Sequence, residues 1–156
     1  MQIVRHALPA LLATILAAPL AAQALFEPPT AGWVVLRSGF SPDPRVVAVR
    51  AGGFVQASLR TPACSGFVAH QPDVKLTFSA GTLPLILSVA AAGDTILVVH
   101  DPRDNWRCDD DGGVRGLNPM LRFDTPASGD YDIWIGTKIN ARALPARLHI
   151  SEHSSQ

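Results

Sequence analysis

Residues able to do chemistry crowd into one stretch, Asp101–Asp132, which holds eight of the chain's thirteen acidic side chains. Within it Asp101, Asp104, Asp109, Asp110, Asp111 and Asn118 offer the oxygen donors that a hard cation such as Ca²⁺ takes six to eight at a time. Three consecutive aspartates repel one another, and a bound cation removes that cost. The register is not that of an EF-hand. With Gly112 as the sharp-turn glycine, Arg107 falls where the first aspartate belongs and Asn118 where a bidentate glutamate belongs. The competing reading is a solvated turn whose carboxylates cap loop backbone and pair with neighbouring arginines. Both readings stay open at this level, and Ca²⁺ is the one cofactor the residues suggest.

Catalytic patterns fare worse. His149, Glu152 and His153 match H-x-x-E-H, but that chemistry needs both histidines on one helical turn. Here the segment continues a strand, where residues four apart lie about 13 Å apart at roughly 3.3 Å per residue. His100-Asp101 and Ser65-Gly66 supply the residue types of serine hydrolysis, but neither G-x-S-x-G nor Gly-Asp-Ser-Gly-Gly is present. His70 and His100 read as loop or strand-end residues. Trp134 reads as packing, whereas Trp106 is open between packing and ligand contact. Acidic and basic side chains balance, with no basic stripe, which argues against nucleic acid as a partner.

The elements that must position these residues begin after an export signal. Arg5 and His6, the apolar run Ala7–Leu20 and the small-x-small triplet Ala22-Gln23-Ala24 predict cleavage after Ala24. No second apolar span follows, so the mature chain is expected to be exported, to the periplasm or outside the cell, and to carry no membrane span. Two cysteines in an oxidising compartment predict a Cys64–Cys108 disulfide. Residues 25–32 form an extended leader, 33–151 a single domain, and 152–156 a frayed tail.

Proline and glycine punctuate that domain about every ten residues, and no 3.6-residue stripe appears. Strands are predicted at Trp33–Arg37, Val46–Val49, Phe54–Leu59, Val74–Ser79, Leu85–Val89, Thr95–Val99, Met120–Phe123, Tyr131–Ile135 and Ala146–Ile150. Short strands at that spacing without intervening helices predict an all-β, antiparallel sandwich of eight or more strands with one disulfide.

From about Cys64 onward the chain resembles the bacterial pre-peptidase C-terminal (PPC) domain family. The pieces are Asp94–Val99, Asp101-Pro102, Trp106–Asp111, Asn118-Pro119, Phe123 and Ser128–Gly136. The resemblance implies a jelly-roll-like sandwich that accompanies secreted hydrolases and, in some members, binds Ca²⁺ or polymeric substrates. The family commonly trails a protease; this chain is expected to stand alone or to meet its partner in trans. The expectation is therefore an exported, non-catalytic binding or accessory module, Ca²⁺-stabilised, contacting protein or polysaccharide. Two alternatives remain: a small secreted hydrolase using His100 or the aspartates, and a metal-free periplasmic structural or envelope protein.

Overall fold

The computed structural model describes Leu25 and residues 27–114, 116–139 and 143–156; the expected signal segment, 1–24, lies outside the described residues. Eleven strands and one short 3₁₀ turn make up the described regular structure, in the order β1 (Trp33–Arg37), β2 (Arg45–Ala51), β3 (Val55–Gln56), the turn Ala57–Leu59, β4 (Phe67–Val68), β5 (Val74–Ser79), β6 (Leu85–Ala91), β7 (Thr95–His100), β8 (Trp106–Asp109), β9 (Met120–Phe123), β10 (Gly129–Thr137) and β11 (Leu144–Ser151). They form two sheets. In the larger, β10 is flanked on one side by β7 and then β8, and on the other by β5 and then β1, with β4 and β3 continuing past the end of β5. The smaller runs β2-β11-β6-β9.

Period-two alternation explains why the sheets face each other. Leu76 and Phe78 on β5, Leu97 and Val99 on β7, and Tyr131, Ile133 and Ile135 on β10 point inward. They meet Leu85, Leu87 and Val89 of β6 and Leu148 and Ile150 of β11, giving the main core. Full burial of each such side chain contributes about 1.5–3 kcal/mol. Phe123 and Tyr131 pack edge to face with centroids 5.4 Å apart, and the Tyr131 hydroxyl donates to the Ala127 carbonyl at 2.9 Å. This is the antiparallel all-β sandwich that the pattern predicts, with the Cys64–Cys108 disulfide formed.

Four features depart from expectation. β1 pairs with β5 in parallel, Trp33 beside Lys75 and Arg37 beside Ser79. The chain leaves β1 for the other sheet at β2 before returning, so no tight hairpin imposes antiparallel order. Phe54–Leu59 is a strand only at Val55–Gln56 and then curls into the 3₁₀ turn. Phe54 stands 84% exposed, while Ala57 is fully buried. β4 and β8 lie where the sequence reads as loop. The tail expected to fray is held instead. Glu152 is 2% exposed, its carboxylate accepts from Gly39 N at 2.6 Å, and Gln156 N donates to Ser88 Oγ at 3.1 Å.

Candidate functional site

The outer face of the larger sheet is divided in two. Towards one end, Ile96, Val98 and Trp134 are fully buried beneath residues 57–66. Three devices hold this cover down. Cys64 is bonded to Cys108 of β8. Gly66, at φ 131°, sits where a Cβ would lie 2.8 Å from the Thr137 carbonyl oxygen, so only glycine fits the close approach. Arg60 stacks its guanidinium 4.5 Å from the Trp134 ring centroid and donates to the His70 carbonyl at 2.5 Å. Trp134 is thus packing, as its residue type suggested.

The other half of the face is polar and only partly open, Asp132 at its centre being 8% exposed. Strand register aligns Trp33 (β1), Lys75 (β5), Asp132 (β10), His100 (β7) and Trp106 (β8) in one transverse row. Five neighbouring strands spaced by about 4.8 Å give a row about 19 Å long. Beside it runs a second row, Val35, Thr77 and Asp130. Trp33 is 66% exposed at one end of the long row, and Trp106 is half-buried at the other.

The charged centre is ordered. Lys75 Nζ lies 2.8 Å from Asp132 Oδ1, and Thr77 Oγ1 donates to Asp130 Oδ1 at 2.6 Å. His100 Nε2 is 2.7 Å from Asp104 Oδ1, and Nδ1 is 3.9 Å from Asp132 Oδ2, an ion-pair rather than a hydrogen-bond distance. The His100 ring also leans on Trp106, centroids 4.7 Å apart, and Trp106 on Trp134 at 5.3 Å. His100, Asp104, Asp130 and Asp132, together with Asp101, Pro102, Ser128, Gly129 and Leu25, line a cavity of about 510 Å³.

The residues singled out as calcium donors do not gather round one point. Asp101 is buried and turned onto its own loop, Oδ1 accepting from Arg103 N at 2.8 Å and Asn105 N at 3.1 Å. Asp104, at φ 62°, reaches back to His100. Asp109 Oδ2 accepts from Gly112 N at 2.7 Å and Met120 N at 2.9 Å, closing the turn after β8. Asp110 is paired with Lys138, whose ammonium also donates to Ser65 Oγ at 2.9 Å. Asp111 is exposed. Asn118 Oδ1 accepts from Ala91 N at 3.1 Å and Thr95 Oγ1 at 3.3 Å. Asp110, and the nearby charges of Asp94 and Asp111, push the Lys138 ammonium above its ordinary value, the hydrogen bond to Asp110 contributing most. An internal cation therefore stands among the aspartates, and among the described residues no three His, Cys, Asp or Glu side chains are grouped to hold a metal.

His149, Glu152 and His153 likewise point to different partners. Glu152 bonds Gly39 N, His153 Nε2 lies 3.9 Å from Asp43, and desolvation lowers the His149 pKa. Sequence reasoning singled out His100 and Trp106 but missed Trp33, Lys75, Asp130 and Asp132 as their companions. The polar sides of β5 and β10 were visible as alternation; the register that joins them was not.

No family model matches the chain, and no curated protein matches it. Among solved structures it shows similarity to PliG from Aeromonas hydrophila, a periplasmic inhibitor of g-type lysozyme, at 14% identity and a TM-score of 0.35 over 76% of this chain and 96% of that one. A likeness of that size carries no functional argument.

Proposed function

We propose that the protein is an exported, non-catalytic binding module whose ligand is an extended polysaccharide lying along the Trp33–Trp106 row. The observation that carries this reading is the row itself: two indole rings at its ends with an ammonium, a carboxylate and an imidazole between them. Sugar rings offer apolar faces for indole and hydroxyl edges for charged hydrogen-bonding groups, and the row spans several rings. The same geometry disfavours the hydrolase alternative, because both ring nitrogens of His100 face carboxylates, Asp104 at 2.7 Å and Asp132 at 3.9 Å, rather than a hydroxyl.

The test is calorimetry or affinity electrophoresis of the mature protein against a panel of neutral, acidic and amino-sugar polysaccharides. Trp33→Ala is expected to weaken binding roughly tenfold or more. Its melting temperature should hold, since the ring is 66% exposed. Absence of binding across the panel, with capture of a defined envelope protein that Trp33→Ala abolishes, replaces the polysaccharide with a protein partner. Binding indifferent to both Trp33→Ala and His100→Ala moves the ligand off this face.

A further inference from the structure

The leader adds one more element to the open face. The Leu25 side chain packs against the buried cluster that includes Val98 and Trp134. Its carbonyl accepts a hydrogen bond from Lys75 Nζ, the same ammonium that pairs with Asp132. Side chain and carbonyl are both fixed, so the Leu25 nitrogen is confined to within roughly 3.5 Å of that carbonyl oxygen by covalent geometry alone. It therefore lies beside the cavity that Leu25 lines with His100, Asp104, Asp130 and Asp132.

The charge of this cavity is unbalanced. Asp101 is taken up by its own loop and by Arg107, whose Nε lies 3.7 Å from Oδ2. Asp104, Asp130 and Asp132 then face Lys75, His100 and the Thr77 hydroxyl. One negative charge is left over even with His100 protonated, and two with it neutral. The site has room for one more monovalent cation.

Cleavage after Ala24, the position the small-x-small triplet predicts, turns the Leu25 amide nitrogen into an α-ammonium. We infer that the acidic cavity is a receptor for the chain's own new N-terminus, with the Leu25 α-ammonium neutralising Asp104, Asp130 and Asp132 while the leucyl side chain anchors it on the buried cluster around Trp134. The uncleaved precursor lacks this cation, so the leader locks onto the face only after export. The inference does not depend on the polysaccharide reading, but it adds competition to it: Leu25 sits on the row at Lys75, and a ligand entering there must displace it.

The test uses exported protein whose N-terminus is verified by mass spectrometry, with the α-amine reductively ¹³C-methylated and titrated by NMR. The midpoint is expected about one unit above the ordinary α-amine value near 8. Asp130→Asn and Asp104→Asn, both at exposed carboxylates and so safe for the fold, should each remove a substantial part of that rise. Because the folded-state value is raised, this stabilisation should be full below pH 7 and lost as pH rises through the folded midpoint. Protein carrying one extra N-terminal alanine should melt lower at pH 7 and lose that pH dependence. An α-amine that titrates at its ordinary value in wild type and both variants overturns the inference, and so does a verified cleavage elsewhere than after Ala24. No glycan enters the experiment, so its failure and that of the polysaccharide reading are separable.

Discussion

Asp73 is a carboxylate that stands in for a strand. Where β5 begins, at Val74, the ladder along β10 would leave Ile135 N without a partner, and Asp73 Oδ2 accepts it at 2.8 Å. Thr30 Oγ1 donates to Oδ1 at 2.8 Å, and the Asp73 amide donates to the Ile133 carbonyl at 2.8 Å. Burial raises its pKa from 3.8 to about 6, against the lowering effect of those two side-chain contacts. The folded protein thus binds this proton more tightly than the unfolded chain, so stability falls as pH rises from about 4 to about 6 and is level above. The bound on that fall is about 3 kcal/mol, at 1.36 kcal/mol per unit. Asp73→Asn keeps an acceptor for Ile135 and leaves the Thr30 hydroxyl free to turn and accept. It is expected to gain about 1–2 kcal/mol at pH 7 and to flatten the slope between pH 4 and 6, both read by urea unfolding across pH. A loss exceeding that amount at pH 7 would mean the charge itself is needed. Nothing in Gln71-Pro72-Asp73 marks this role, because the partners lie 43 residues before and 62 after.

At the scale of elements, alternation was legible and partnership was not. Val74–Ser79 shows its buried and open faces residue by residue, and β1 and β5 match their predicted bounds. A period of two says which residues share a face but not what covers it. Trp134 and Asp132 lie on the same side of β10, yet one is sealed under the 57–66 cover and the other opens to the cavity. The cover is where the disulfide acts: it closes a loop of 44 residues, worth about 4 kcal/mol on the chain-entropy model. Cys64→Ser with Cys108→Ser is expected to lose roughly that much, read by denaturant unfolding, and to redshift tryptophan emission as Trp106 and Trp134 gain water. An equal loss without the emission change would place the effect in the unfolded chain alone.

The whole molecule is a two-layer sandwich with a third, partial layer on one outer face, and the acidic segment belongs to its framework. Residue density in Asp101–Asp132 was plain in the sequence, but β8 runs through the middle of it and separates Asp101 and Asp104 from Asp110 and Asp111. Each group then found a different employer: Asp101 its own turn, Asp104 the His100 ring, Asp109 the turn after β8, Asp110 the Lys138 ammonium. Carboxylates that already accept backbone N–H groups and an ammonium must give these up to bind a metal, and the exchange gains little. Melting of the oxidised mature protein is therefore expected to stay within about 1 °C between EDTA and millimolar Ca²⁺ or Mg²⁺. Lys138→Met is the sharper form of the experiment. It removes the internal cation from beside Asp94, Asp110 and Asp111, so it should destabilise the protein in EDTA and confer on it a Ca²⁺ response that wild type lacks. A saturable Ca²⁺-specific rise in the wild-type melting temperature, lost in Asp109→Ala, would show that these carboxylates rearrange around a metal. A variant that melts lower and stays indifferent to Ca²⁺ would show that only an ammonium on a tether fits there.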